Sequence, residues 1–123
     1  MPKILDSNII INALKGKSKL GAYKGSYITP IVYAEVLYGI LYIGRKVKEF
    51  DDFLNENEIE TLPIGKETAQ IFTKIKLELN KKGNPLADND LLIAASGLEY
   101  DLEVVTGNKK HFSRIRGLKV TEK

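Results

Sequence analysis

The sequence contains no cysteine and only one histidine, His111, among its 123 residues. Without cysteine the chain can form neither a disulfide framework nor a thiolate metal site. One histidine excludes a catalytic pair of histidines within one chain, and also a zinc site built from several histidines. The chain also lacks the Gly-x-x-x-x-Gly-Lys-[Ser/Thr] phosphate loop and the Gly-x-Gly-x-x-Gly fingerprint. Any chemical site must therefore rely mainly on carboxylate, amide, hydroxyl and basic side chains.

Long apolar runs are also missing. The longest extend only a few residues before a charge, a glycine or a proline interrupts them, so no segment is long enough to span a bilayer. The first residues do not show the pattern of a signal peptide. With the absence of cysteine, these features lead us to expect a cytoplasmic protein without a membrane segment.

The composition favours one folded domain over residues 1–123, because 43% of the residues are hydrophobic and the length suits a single core. The net charge is +3 and the pI is about 9.0. This positive excess is compatible with a polyanionic partner, but a lysine-rich surface explains it equally well. Charge alone therefore does not decide the partner.

Apolar strands alternate with helical patterns along the whole chain, which predicts an α/β fold with a mainly parallel central sheet of four to five strands. In the helices, Ser7 is expected to act as an N-cap and Pro30 to lie in a first turn. The predicted strands cover residues 3–6, 26–29, 59–64, 103–106 and 118–121, and the predicted helices cover 8–14, 17–24, 31–43, 46–57, 66–81 and 88–99.

Two isolated acids stand where a site would form. Asp6 ends the first predicted strand, at the sheet edge where ligands of such folds bind. It is also a plausible N-cap for the helix that follows. Glu35 lies within the apolar run Ile31–Tyr38, where an unpaired buried carboxylate would cost several kcal/mol. Glu35 therefore needs a partner or a cation, unless it points to water from an otherwise packed helix.

Two further acids begin the predicted helix 88–99. Acids in a first helical turn are ordinary because they favour the helix dipole, and this explanation suffices for Asp88. Asp90 shares a helical face with Ile93, Ala94 and Gly97, which is expected to pack closely on the sheet. Asp90 is therefore the stronger candidate for the site.

Carboxylates from one strand end and two helices can converge beyond one sheet edge, where they would repel each other unless a cation were present. Oxygen ligands favour a hard cation such as Mg²⁺, with Mn²⁺ as a possible substitute. Such an ion can activate water and stabilise the oxygens of a phosphodiester during its displacement.

Four motifs in order resemble those of the PIN-domain family, in its VapC branch. The first surrounds Asp6, the second surrounds Glu35, and the third runs from Asn84 to Ala95. The fourth consists of Val104-Val105-Thr106-Gly107-Asn108 and the segment that continues from His111 to Leu118. Each motif is short, but together they cover nearly all of the chain.

The resemblance implies a Rossmann-like sheet and Mg²⁺-dependent cleavage of RNA to products with 5′-phosphate and 3′-hydroxyl ends. Asp6, Glu35 and Asp90 match the family's acidic positions, as catalytic residues and metal ligands. Asp88 and Asn108 are second-tier metal candidates, since the family often has Asp where this chain has Asn108. The expected substrate-binding residues are Thr106, Asn108, Lys109, Lys110 and Arg114.

The resemblance also implies a cognate VapB-type antitoxin and a homodimer. We expect the antitoxin to cover an apolar groove near the helices that carry Ile9, Tyr33, Leu37 and Tyr38. Two alternatives stay open: a PIN-domain nuclease that acts in RNA processing or on DNA without an antitoxin, and a catalytically silent module that binds RNA or protein. Further basic residues expected to frame the site are Lys15, Lys17, Lys19, Lys81, Lys82 and Arg116.

Overall fold

Five short strands alternate with six α-helices in the computed structural model, which describes residues 1–123. A single-turn 3₁₀ helix at Gly21–Tyr23 lies between the first helix and the second strand. The elements are β1 (Lys3–Leu5), α1 (Ser7–Leu14), β2 (Tyr27–Ile28), α2 (Pro30–Tyr42), α3 (Val47–Glu56), β3 (Glu60–Thr61), α4 (Lys66–Lys81), α5 (Asp88–Glu99), β4 (Glu103–Thr106), α6 (Lys109–Phe112) and β5 (Val120–Glu122).

All neighbouring strands are parallel, in the order β3-β2-β1-β4-β5. Ile4 lies opposite Val104, and Leu5 lies opposite Val105. The chain fills the sheet outward from β1 to β3 and then crosses to β4 on the other side of β1. This reversal makes the carboxyl ends of β1 and β4 the topological switch point, where such folds bind ligands. The predicted α/β class is confirmed.

The central strands are buried on both faces, as expected when helices cover both sides of a parallel sheet. Ile4, Leu5, Val104 and Val105 have no exposed surface. The largest fully buried side chains are Phe50 of α3 and Phe112 of α6. None of the helices combines the length and the apolarity that crossing a bilayer would require.

The small-residue face of α5 packs closely on the sheet, as predicted. A Cβ atom added at Gly97 would lie 2.9 Å from Leu118 Cδ1, 3.1 Å from the Leu102 carbonyl oxygen and 3.2 Å from Val104 Cγ2. Glycine is therefore required at this position by contact, and its neighbours on α5 are buried. This packing fixes the position of Asp90, which begins the same face.

Two local predictions were wrong, and one short helix was not predicted. The segment 17–24 forms only the 3₁₀ turn, since its one glycine and three lysines supply little apolar surface to bury. The N-cap of α1 is Asp6 rather than Ser7. The short helix α6 was not predicted, because four residues are too few to establish a helical period; burial of Phe112 anchors it. The strands expected at 26–29 and 59–64 are shorter than predicted.

Candidate active site

Asp6 uses its two carboxylate oxygens for two different purposes. Oδ1 accepts a hydrogen bond of 2.7 Å from the Ser7 backbone N–H, which caps α1. Oδ2 accepts a hydrogen bond of 2.7 Å from the hydroxyl of Thr106 at the end of β4. Asp6 is only 8% exposed. The two interpretations of Asp6, helix cap and site residue, are therefore compatible with each other.

Thr106 has no exposed surface, although the sequence suggested that it binds substrate. Its hydroxyl donates to Asp6 and accepts a 3.0 Å hydrogen bond from the backbone N–H of Asn108. Both partners lie within the protein. Thr106 thus orients the Asp6 carboxylate and the turn that follows β4, rather than facing a ligand.

Glu35 reaches the same region from α2. The hydroxyl of Thr29 caps this helix by accepting from the Val32 N–H at 3.1 Å, and Pro30 begins it, as predicted. Burial of the carboxyl raises the pKa of Glu35, and the negative charges of Asp6 and Asp90 raise it further. A hydrogen bond with Asn89 acts in the opposite direction. Glu35 is accessible to solvent, but its carboxyl is close enough to the two aspartates to feel their charges.

Asp90 lies in the first turn of α5 and is half-buried. Burial raises its pKa, and repulsion by Asp6 adds to that effect, while a hydrogen bond with His111 and the charge of that residue lower it. His111 Nδ1 lies 3.4 Å from Asp90 Oδ2. The imidazole also lies 2.9 Å from the side-chain nitrogen of Asn108. The histidine therefore links α6 to the first turn of α5.

The three carboxylates share one electrostatic environment at the switch point. Their oxygen atoms are the ligands that a hard divalent cation prefers, and a cation would relieve the repulsion that raises the pKa values of Glu35 and Asp90. No three Asp, Glu or His side chains already surround a single ion position. Mg²⁺ commonly binds through one or two carboxylates and retains several waters, so this open arrangement suits its chemistry.

The second-tier acidic candidate has a different environment. Asp88 is exposed, and Lys76 Nζ lies 3.0 Å from its Oδ1, so a cation from α4 offsets its charge. Asn108 contacts the imidazole of His111 rather than any of the three carboxylates. The structure thus brings Asp6, Glu35 and Asp90 together, while Asp88 faces away toward α4.

Some basic residues near the site extend into solvent, and others contact protein groups. Lys109 and Lys110 are exposed at the start of α6, next to Asn108. Arg114 donates a 2.8 Å hydrogen bond to the Pro85 carbonyl oxygen and so fastens the loop that precedes α5. Lys82 and Arg116 both reach Glu78, at 3.0 and 3.8 Å.

Sequence reasoning missed two contacts in the site. Asn89 forms the hydrogen bond with Glu35, and His111 forms the contact with Asp90. Asn89 lies between two acids and attracts no attention in the sequence. Its contact depends on how α2 and α5 approach each other, so the sequence pattern alone carries no signal for it.

An apolar groove of about 460 Å³ adjoins the acidic site, with Glu35 at its border. Its apolar walls come from α1, α2 and α3 and include Ile11, Leu14, Val36, Ile40 and Phe53. The groove lies beside α1 and α2, the helices expected to border it, but the four residues named from the sequence do not line it. Ile9 is in the core, Tyr33 stacks on Phe50 and donates its hydroxyl to Asp51, Leu37 is half-buried and Tyr38 is exposed.

Known proteins are similar to this chain in sequence and in fold. The family model for the PIN domain matches residues 3–118. Ribonuclease VapC of Rickettsia bellii is 35% identical, over 98% of this chain and 95% of its own length. Ribonuclease VapC2 of Haemophilus influenzae is 31% identical, over 94% of this chain and 93% of its own length.

Solved structures agree with these sequence matches. VapBC2 from Rickettsia felis, bound to a DNA fragment from the promoter, superposes with a TM-score of 0.81 at 29% identity, covering 100% of this chain and 99% of the other. VapBC-1 from nontypeable Haemophilus influenzae gives a TM-score of 0.83 at 26% identity, with 99% and 98% coverage. With the four motifs and the parallel sheet, these matches show that the chain belongs to the PIN domain family, in its VapC branch.

Proposed function

We propose that this protein is a Mg²⁺-dependent endoribonuclease, able to use Mn²⁺, and the toxin of a VapBC toxin–antitoxin pair. The observation that carries the proposal is the coupling of Asp6, Glu35 and Asp90 at the switch point of the sheet. The curated relatives named Ribonuclease VapC support RNA as the substrate class. The fold alone would not, since one fold serves many functions.

Each carboxylate contributes differently. Asp6 is held by Ser7 and Thr106, so its orientation is fixed before any ligand arrives. Asp90 would hold the ion with Asp6, and Glu35 would act on it directly or through a water. When bound, Mg²⁺ supplies the positive charge that acidifies a water and stabilises the phosphodiester oxygens during displacement. His111 keeps Asp90 beside the turn at Asn108.

The substrate would be positioned by groups around this centre rather than by the carboxylates. Lys109 and Lys110 are exposed beside the site and can bind phosphates without reading sequence. Arg114 has one N–H committed to Pro85, which leaves its other donors for RNA. Asn108 lies at the exposed end of the turn, where its amide is accessible.

The partner proposed is a VapB-type antitoxin, because the similar solved structures from Rickettsia felis and Haemophilus influenzae carry the VapBC name. The groove between α1, α2 and α3 is the surface best suited to an apolar segment, and it borders Glu35. A homodimer would cover the exposed apolar side chains of α2, where Tyr38 stacks on Tyr42 at 6.1 Å between ring centroids.

A cleavage assay tests this function directly. The wild-type protein is incubated with single-stranded RNA and with DNA of the same sequence, in Mg²⁺ and in EDTA. We expect RNA alone to be cut, and only with the metal. Asp6→Asn should lower the cleavage rate by more than about 100-fold, because it removes a metal ligand and not merely a group that supports one. The matched control is Asp101→Asn, which changes an exposed acid in the turn after α5.

Three outcomes would contradict the proposal. Equal cutting of DNA would point to a different PIN-domain nuclease. RNA binding without cleavage would point to a silent binding module. Full activity in EDTA, or an Asp101→Asn variant as inactive as Asp6→Asn, would remove the metal centre from the explanation. Folding of each variant is checked by circular dichroism.

A further inference from the structure

Positive charges lie on two sides of the acidic site. On the side of α4 and α5 several of them are already engaged, although Lys66, Lys74 and Lys81 form no salt bridge. Lys76 pairs with Asp88, and Glu78 accepts both Lys82 and Arg116. The guanidinium of Arg114 holds the Pro85 carbonyl. Acids therefore offset much of the positive charge on this side.

The other side of the site holds lysines without an acidic partner. Lys19, Lys109, Lys110 and Lys123, which we call the β5 patch, form no salt bridge. Lys123 Nζ donates a 3.1 Å hydrogen bond to the Lys19 carbonyl oxygen and lies 4.9 Å from the centre of the Tyr23 ring. A carbonyl and an aromatic ring hold the ammonium in place without neutralising it.

Backbone contacts join this patch to the site. The Lys123 N–H donates to the Thr106 carbonyl oxygen at 3.0 Å, and the Thr106 hydroxyl donates to Asp6. The Lys109 N–H donates to the Glu122 carboxylate at 3.1 Å, so this nearby acid binds backbone at the start of α6. The Lys123 backbone is therefore linked through Thr106 to the Asp6 carboxylate, and Lys109 follows Thr106 by three residues in the chain.

Gathering several unneutralised cations costs free energy through repulsion, and a bound polyanion removes that cost. The path of a nucleic-acid strand follows such a patch, because phosphate contacts set position and direction. We propose that the β5 patch binds phosphates of the RNA strand on one side of the scissile bond. The strand would then leave the site over β5. This inference rests on the proposed ribonuclease function.

The test measures binding of a single-stranded RNA that the wild-type protein cuts once. The measurements use the Asp90→Asn background in Mg²⁺, so that the RNA stays intact, and several salt concentrations. The variant is Lys19→Gln with Lys123→Gln. Its control is Lys66→Gln with Lys74→Gln, which removes the same charge from two exposed lysines of α4 that form no salt bridge. Thermal unfolding verifies that both variants are folded.

We expect the β5 variant to lower the slope of log affinity against log salt by roughly 0.7 for each lysine, while the control leaves the slope unchanged. Shortening the RNA on one flank should abolish the difference between the variant and its parent, and shortening the other flank should preserve it. This dependence on one flank is the result that a general loss of positive charge would not give.

Three results would overturn the inference. The β5 variant binds like the control at every salt concentration, or both flank truncations act alike. Alternatively, RNA binding is normal while affinity for a copurifying partner protein falls, which would make the β5 patch a protein-docking surface. If the wild-type protein cuts no RNA at all, the proposed function fails first and the inference fails with it. Cleavage by the wild type, measured separately, distinguishes these cases.

Discussion

Helices α2 and α5 each present one carboxylate to the same site, but the fold uses their apolar residues in different ways. Six of the 12 residues of α5 are buried, Leu91 and residues 93–97. In the 13 residues of α2 only Val32 and Val36 are buried. Both helices look apolar in the sequence, so apolar content alone does not reveal how much of a helix the core requires.

The difference follows from what covers each helix. Helix α5 lies between the sheet and α4, and the close approach at Gly97 leaves no solvent on its inner face. Helix α2 packs on α1 and α3, but an open apolar groove lies between its last turns and these two helices. Tyr38, Leu41, Tyr42 and Ile43 are therefore 70%, 49%, 79% and 69% exposed. The fold buries the apolar surface of α5 and leaves much of that of α2 exposed to solvent.

The two carboxylates provide the largest expected contrast. Asp90→Asn should reduce cleavage by more than about 100-fold, because it removes the proposed metal ligand that the buried helix α5 holds in place. Glu35→Gln on the accessible helix α2 should cost roughly 10- to 100-fold, as for a group that supports the ion through water. Single-turnover cleavage and Mn²⁺ binding measured on both variants check the order. Equal losses of cleavage activity in the two variants would show that the exposure of a helix does not determine how much its carboxylate contributes to activity.

Leucine truncation compares the two helices through stability. Leu91→Ala should destabilise the protein by about 2–5 kcal/mol, since Leu91 is 1% exposed and leaves a cavity. Leu41→Ala, at a 49% exposed position, should change the free energy of unfolding by less than about 0.5 kcal/mol. Urea denaturation measures both values. Light scattering on Leu41→Ala then tests whether the exposed end of α2 joins two copies of the chain. Unchanged self-association would show that this surface is not the dimer interface.

Much of the fold was predictable, because regularly spaced apolar residues in the long segments indicate their secondary structure. The bounds of α4, α5 and β4 agree with the sequence prediction, and each begins or ends at a capping, glycine or turn residue. The short strands β2 and β3 were predicted too long, because a few apolar residues do not reveal how many will pair. The single 3₁₀ turn and α6 depend on tertiary packing, which no local period records.

The positions of some candidate site residues were predictable, because the order of strands and helices alone places them at the edge of the sheet. Asp6 ends a central strand and Asp90 begins a helix on the sheet, so both positions follow from the chain order. The contact of Asn89 with Glu35 and the inward direction of the Thr106 hydroxyl depend on distances between elements. Those distances are set by packing, and the sequence pattern does not contain them.

Alanine substitutions at one glycine of each helix should change the stability by smaller amounts than the leucine truncations. Gly97→Ala should destabilise by about 1–3 kcal/mol through overpacking against Leu118 and the Leu102 carbonyl. Gly39→Ala on α2 places a methyl group where no atom lies within 4 Å, so it should stabilise by about 0.5–1 kcal/mol. Thermal and urea unfolding decide the signs. A stabilised Gly97→Ala variant would mean that α5 can shift away from the sheet.

The smallest effect concerns the pH dependence of stability without metal. The pKa of Asp90 in the folded protein is raised above its ordinary value of 3.8, mainly by burial and then by Asp6. The folded state therefore binds a proton more tightly than the unfolded state, and stability falls as pH rises from the ordinary pKa through the raised one. At neutral pH the ionised carboxylate carries its full penalty, so Asp90→Asn should unfold at a higher temperature than the wild type in EDTA.

The same variant should lose its advantage in acid, where Asp90 of the wild type is protonated and uncharged. Glu35→Gln should also raise the melting temperature at neutral pH and lose this advantage in acid, because burial raises the pKa of Glu35 above its ordinary value of 4.5. The increase should be smaller than for Asp90→Asn, because Glu35 is the more accessible side chain. Loss of the His111 contact reduces the gain of Asp90→Asn without reversing it, since burial is the largest cause of the raised pKa. Adding Mg²⁺ should stabilise the wild type and leave Asp90→Asn nearly unchanged, because only the carboxylate form binds the ion. Melting curves over a pH series, with and without Mg²⁺, measure all of these terms. A gain equally large in acid would assign the effect to packing at α5, and the charge of Asp90 would then play no part in it.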